Sequence, residues 1–542
     1  MIVLEFATCA DEGQPGRAGC DNDRGMTNDA VEIARRFHDG TMHSLHSVRT
    51  SSHALEWDIK PFPFKVYTEA PAVPLPRDLD GLAVPALAAL AGADTPAAKR
   101  LTLPALAALL YHAAGVTRKK AYPGGGEVLF RAAPSTGALY QTEVYVVAGE
   151  VDGLAPGVYH FCPGDFTLRR LREGDLRAGV AAAAADDTLA QRAATLVLTA
   201  IYWRNTWKYQ ARGFRHLYWD SGSLLANALA AGGALGLAPR LLTGFVDADV
   251  NHLLGVDPDR EAALELLALG PAGPAASPLV APLPAIAPPV MPLSSEEVDY
   301  PALREMQHAS MLGDPGAVRA WRAQPAPSRA GPLGAVSPLP TVDPRGGRTL
   351  GETIQRRGST RRFSHAPLTA EELTAALWAA TRGVDADVPA ELADLYLVVN
   401  AVDGVAPGAY AVWPDAGLEL LAPGDLRRRS AYLCLEQALG GDAAAVIYFL
   451  APLDALLAVF GNRGYRLANL QAGLAGGRAY LAAYALGFGA TGLTFYDEDV
   501  VQLFSSHAAG KDAIFVTALG RSASGAGDVL VSTRTIQPPR RA

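Results

Sequence analysis

Two periodicities run through the chain. Leu101 to Ala114 and Leu368 to Ala380 carry apolar residues at helical spacing, and a Thr369-x-x-Glu372 capping box opens the second run. Shorter apolar, β-rich runs at Val144–Val147, Leu196–Ile201 and Val446–Leu450 predict buried strands. Few short strands among long helices predict an α+β sandwich, a small sheet flanked by helices. The most apolar stretch, Leu224 to Leu242, is interrupted by Asn227, glycines and Arg240, and so predicts a buried helix followed by a turn rather than a membrane span.

The same pattern is written twice. Residues 151–163 read VDGLAPGVYHFCP and residues 402–414 read VDGVAPGAYAVWP, eight of thirteen positions being identical at an offset of 251. GDLR follows both, at 174–177 and 424–427, and LGLAPRLLTGFVDADV ending at Val250 matches LGFGATGLTFYDEDV ending at Val500. This is a duplicated domain rather than a short-period solenoid. Residues 271–293 hold eight prolines in twenty-three positions, an extended, semi-rigid strap. The expected divisions are an N-terminal extension (1–93), a first unit (94–270), a Pro/Ala-rich linker (271–345), a second unit (346–525) and a tail (526–542).

Composition narrows the function. With 49% hydrophobic and 19% charged residues in 542, the chain has ample material for packed cores. A net charge of −8 without a sustained Lys/Arg cluster argues against nucleic acid as the main partner. Cys9, Cys20, Cys162 and Cys434 are scattered and form no disulfide framework, and the N-terminus lacks a basic, then apolar, signal pattern. The expected compartment is the cytoplasm. No strand is followed by GxGxxG or GxxxxGK[ST], and no HExxH, GxSxG or Cys/His zinc spacing is present. His38, His43, His46 and His53 cluster without a Cys or acidic residue at a usual ligand spacing, so no metal site is expected.

The copies also differ. The offset falls from 267 at the Leu101/Leu368 helix starts to 251 at the VDG turns, so the second copy is 16 residues shorter between them. The missing portion is read as containing RAAPSTGALYQTE (131–143). Conversely, QRRGSTRRFSHAPL (355–368) has no like in the first copy. Arg356, Arg357, Ser359 and Arg361 around a helix start suit a terminal phosphate, although such turns also occur as solvated basic surface. Pro134, Ser135, Thr136, Gly137 and Ala138 form a turn of small residues that lets backbone amides approach a flat ring; the plain alternative is a loop before a strand.

RRGSTRRF followed by PLTAEEL resembles the opening phosphate-binding motif of the flavin-dependent nitroreductase superfamily. APSTGALYQTEVYVV resembles its isoalloxazine-contacting motif, in the form found in SagB-type (McbC-like) azoline dehydrogenases. FHDGTMHSLHSVR (37–49), LEWDIKPFPFKVY (55–67) and WKYQARGFRHLYWDSG (207–222) resemble further parts of the same family. The resemblance implies two tandem nitroreductase-like domains forming an intramolecular pseudo-dimer with one FMN site. The second copy is expected to supply Arg357, Ser359, Arg361, Thr491, Gly492, Leu493 and Arg521, and the first copy Pro134 to Ala138. The mirror-related site, lacking both signatures, is expected to be empty.

The resemblance further implies Lys208 and Tyr209 as the catalytic pair. Removing a ring proton needs a base, and lysine serves only if burial lowers its pKa. The second copy has Val459 and Phe460 there. A surface lysine beside a core tyrosine is the plainer reading. Aromatic residues at 202, 203, 207, 209, 218 and 219 are either core or cleft lining. The implied activity is oxidation of a thiazoline or oxazoline in a peptide or carrier-bound peptide, with O2 as acceptor and a biosynthetic enzyme complex as possible setting. The alternatives are an NAD(P)H-dependent flavin reductase and a non-catalytic peptide- or carrier-binding partner.

Overall fold

The computed structural model describes residues 27–92, 97–121, 127–388, 392–414, 417–523 and 529–530. Cys9, Cys20, the segment read for a signal peptide and most of the expected tail lie outside them. Each unit builds one seven-stranded sheet, and the two sheets have the same order. The first runs Ala72–Pro74, Thr167–Glu173, Gly157–Cys162, Thr142–Ala148, Ala194–Ile201, Glu261–Leu269 and Arg240–Leu242. The second runs Val336–Ser337, Gly417–Pro423, Gly408–Trp413, Asp394–Val399, Ala445–Ala451, Asp512–Gly520 and Gly489–Gly492. Neighbouring strands are antiparallel throughout, and the central strands are buried on both faces, which explains their continuous apolar runs. The α+β expectation holds, as does the pairing of two like domains in one body.

The units meet through their long central helices, Gly213–Ala234 and Arg463–Leu486. Gly222 and Gly473, 251 residues apart, lie at this contact: a Cβ on Gly222 would strike Leu470 and Gly473 backbone, and one on Gly473 would strike Trp219 backbone. Trp219 Nε1 donates to Asn469 Oδ1 across the seam at 2.8 Å.

Two buried ion triads lock the same interface and repeat about the same pseudo-twofold. Arg212 and Arg215 of the first unit embrace Asp497 of the second; Arg463 and Arg466 of the second embrace Asp247 of the first. The symmetry extends into segments that the sequence leaves outside the repeat. Arg215 Nη2 donates to His38 O at 2.9 Å, and Arg466 Nη2 to Gln307 O at 2.8 Å. The His43 N–H caps Asp497 at 2.8 Å, and the Leu312 N–H caps Asp247 at 3.0 Å. Thus helix Glu32–Gly40 of the extension and helix Pro301–Ala309 of the linker hold equivalent places. Part of the linker (271–345), beyond the proline-rich strap 271–293, is therefore helical and belongs to the repeated architecture.

The 16-residue difference has a different origin from the one expected. It corresponds to the hairpin Val116–Ala121 and Glu127–Arg131, which leads into the small-residue turn and has no counterpart after Ala380–Thr381. The turn itself has a counterpart, residues 385–388, with a different sequence. Sequence comparison merged an inserted hairpin with a diverged turn because both fall between the same two anchors.

One buried acid records how far the copies have diverged. Glu265 sits where the second sheet has Phe515, fully buried, with Ser221 Oγ donating to it at 3.0 Å. Burial pushes its carboxyl from 4.5 up to about 8, against the Ser221 hydrogen bond and Arg466 and Arg463. The folded group is therefore neutral at pH 7 while the unfolded one is ionised, and stability falls as pH rises from about 4.5 to about 8. Glu265→Gln should flatten this dependence and stabilise the fold at pH 8 by roughly 2–5 kcal/mol, read from melting curves across pH.

Candidate functional site

The small-residue turn is built around Asp220, a buried carboxylate in the first central helix. It accepts Ser135 Oγ at 2.6 Å, the Thr136 N–H at 2.8 Å, Thr136 Oγ1 at 2.7 Å and Gln141 Nε2 at 2.6 Å. Burial raises its pKa to about 6, these donors opposing the rise. Gly137 takes φ +64°, and a Cβ there would lie 2.9 Å from the Tyr209 hydroxyl. Glycine is thus required for both backbone and space. The second unit has Gln471 in place of Asp220, and it accepts the Leu392 N–H at 2.8 Å.

Helix Tyr202–Tyr209 carries Lys208 and Tyr209 to the other side of the turn. It is pinned by Arg204, which donates to Tyr140 O at 3.0 Å and pairs with Glu143. Burial would raise the Glu143 carboxyl, but Arg204, then His160, hold it down to about 2. The Tyr209 ring packs edge-on against His216 at 4.5 Å, and burial, then Asp220, raises its hydroxyl pKa. Lys208 is half-buried, and its pKa is lowered by burial, then by the charges of Arg361 and Lys60. Lys60 belongs to the extension and lies over the rings of Trp57 and Trp207.

The second unit reaches this place with its Arg-rich turn. Arg357 is buried and donates to Ala132 O at 2.9 Å and Arg131 O at 2.8 Å, joining the turn to the strand that enters Pro134. Arg118 of the inserted hairpin lies against Gly358, where a Cβ would be 3.0 Å from Nη1. Arg361 is exposed, within electrostatic reach of Lys208 and Tyr209. Ser359 is partly exposed and hydrogen-bonds Tyr480, whose hydroxyl also engages Thr491 and accepts the Gly492 N–H. Leu493 is buried, its N–H donating to Val516 O at 3.2 Å. Arg521 is adjacent through backbone pairing, but its guanidinium is turned to Glu372 at 2.7 Å and to Pro367 O.

Lys208, Tyr209, residues 134–138, Arg357, Ser359, Arg361 and residues 491–493 therefore converge on one seam between the units. Asp220, Tyr480, Arg118 and Lys60 were not singled out from the sequence. Asp220 and Tyr480 had a signal there, as polar residues inside long apolar helices; Arg118 and Lys60 had none.

The mirror-related position is closed differently. Leu241 pairs with Ala386, and Asp387 accepts the Thr243 N–H at 2.8 Å and the Gly244 N–H at 2.9 Å. Trp321 of the linker packs into this position: a Cβ on Gly244 would meet its ring at 2.9 Å, and its Nε1 donates to Phe460 O at 2.9 Å. The groove outside, about 690 Å³ over Val459 and Phe460, has no Lys or Arg in its lining. His38 is buried against Tyr465 and Asp512, and among the described residues no group of three or more His, Cys, Asp or Glu is placed to hold a metal. Among them, too, no helix is long and apolar enough to cross a membrane.

Comparison with known proteins agrees with this architecture. The nitroreductase-like protein MJ1384 of Methanocaldococcus jannaschii is 30% identical over 171 residues, 31% of this chain and 81% of that protein. The microcin B17-processing protein McbC of Escherichia coli is 27% identical over 130 residues, 23% of this chain; the match spans about half of McbC (48%). The crystal structure of a nitroreductase-like protein of Anabaena variabilis, 27% identical, covers 90% of this chain and 99% of its own with a TM-score of 0.72. The sequence profile of the nitroreductase family matches residues 97–270 and again 354–520, so the chain, in both of its halves, belongs to the nitroreductase family.

Proposed function

We propose that this chain is an FMN-dependent dehydrogenase that oxidises a thiazoline or oxazoline in a peptide-derived intermediate to the thiazole or oxazole. The observation that carries the reading is the meeting of two half-signatures, each present in one repeat only: Arg357 is bonded to the backbone entering the Pro134–Ala138 turn, and Arg361 stands beside Lys208 and Tyr209. The likeness to McbC, a microcin B17-processing protein, supports a peptide substrate, and a biosynthetic enzyme complex is the proposed setting.

The residues present fit FMN. Ser359 and Arg361 offer a hydroxyl and a guanidinium for the phosphate, with Arg118 beside Gly358. Exposed backbone at Gly137 and Gly492 suits a flat ring. When bound, FMN supplies a two-electron acceptor for hydride, and O2 is the proposed final oxidant. The chain's own part is the proton. A neutral Lys208 takes it from the ring carbon, helped by the two neighbouring cations that disfavour its charged form. Tyr209 stays protonated and its hydroxyl, set against Gly137, orients the reacting ring.

Purified protein should be yellow and release one FMN per chain, because the mirror position is filled by Trp321 and Asp387. An azoline peptide should lose two hydrogens per ring, read by mass spectrometry. Two FMN per chain would overturn the single site. A colourless protein would leave the peptide-binding alternative, and bleaching by NADPH without peptide would favour the flavin reductase.

A further inference from the structure

Gln210 ends the helix that carries Lys208 and Tyr209, and its backbone sits at φ 50°, ψ −147°. This region is essentially restricted to glycine, because a Cβ crowds the backbone there. The repeat supplies an internal control. The equivalent position, 251 residues on, is Gly461 at φ 65°, ψ −161°, following Val459 and Phe460. Both copies turn in the same way, yet only the copy with the Lys-Tyr pair uses a residue that is strained by the turn. A glycine would make the turn without strain, so the backbone alone does not explain Gln210.

The side chain does. The Gln210 side chain lies against the hydroxyl of Tyr300, which is in the linker just before helix Pro301–Ala309. Tyr300 packs with Tyr209, Leu293 and Leu139 against Trp203 and Trp207, forming the apolar wall behind the pair. At the counterpart, Gly461 is pressed against Asn28 and has no room for any side chain. We infer that Gln210 is a positioning residue: through Tyr300 it clamps the end of the Tyr202–Tyr209 helix to the linker, fixing where Lys208 and Tyr209 stand and how far Lys208 is shielded from water. The roles of Lys208 and Tyr209 rest on the function proposed above; the clamp itself does not.

The test compares wild type, Gln210→Gly, Tyr300→Phe and the double variant as full-length, flavin-loaded protein. Gln210→Gly should melt no lower than wild type, since strain is relieved, and keep its flavin absorbance. Acylation of Lys208 by an amine-reactive ester, followed across pH by peptide mass spectrometry, should move to higher pH, because a better hydrated amine holds its proton longer. Tyr300→Phe should move it in the same direction, with no additional change in the double variant. Azoline turnover should fall at least tenfold in kcat with little change in KM. An acylation profile unchanged in Gln210→Gly overturns the clamp. If wild type turns over no azoline, the acylation profile still decides the clamp independently of the proposed reaction.

Discussion

Lys208→Ala is expected to lower azoline oxidation by about 10²–10⁴-fold, the usual contribution of a positioned general base. Flavin content and melting temperature should stay close to wild type, because the Lys208 amine is half-buried and only the stem packs. The surviving activity should be insensitive to pH over the range in which wild-type rate rises. That rise marks loss of the Lys208 proton, which burial, Arg361 and Lys60 move below the ordinary lysine value. Stopped-flow reduction of the bound flavin by peptide, compared with single-turnover product yield, checks this directly. Full turnover in Lys208→Ala with flavin in place would remove the proposed role.

Asp497→Ala is expected to have the largest effect on stability. The variant leaves Arg212 and Arg215 buried together without their shared carboxylate, and frees the His43 N–H. Burial would raise the Asp497 pKa, but the two arginines hold it down to about 2, so the carboxylate is charged throughout the physiological range. Breaking such a buried pair costs about 3–5 kcal/mol. Asp247→Ala should cost a similar amount, because Arg463 and Arg466 make the same triad in the other half. The two should differ in function. Arg212 and Arg215 follow Tyr209 by three and six positions, so Asp497→Ala should also impair flavin reduction, whereas Asp247→Ala acts next to the filled mirror position. Calorimetry of both variants with the rate of flavin reduction separates the two effects.

Much of this arrangement is legible without coordinates. The repeated VDG–APG strand-turns fall on matching sheet strands, and the two one-sided signatures, RRGSTRRF and APSTGALYQTE, do lie at one seam. Arg521 was read as part of this set, but its charge is taken up by Glu372. Such competition for a guanidinium is invisible in a linear sequence, since the partner lies 149 positions away. The equivalence of helices Glu32–Gly40 and Pro301–Ala309 was also hidden. What the two share is a pair of backbone carbonyls offered to arginines, a function that constrains geometry rather than side-chain identity.

By itself the sequence determined the duplication, the α+β class and which motif each copy kept, because these depend on local periodicity and residue identity. The tertiary structure alone decided that the turn is held by Asp220, that Tyr480 joins Ser359 to Gly492, and that Trp321 with Asp387 closes the mirror position. It also showed that the shortfall in the second copy is a missing hairpin. The reason is physical: burial and hydrogen-bond partnership depend on contacts between residues far apart in the chain, 84 positions for Thr136 and Asp220 and 143 for Gly244 and Asp387, made only when both sheets and their central helices pack. The sequence carried the parts of the proposed site; the fold decided which seam they share.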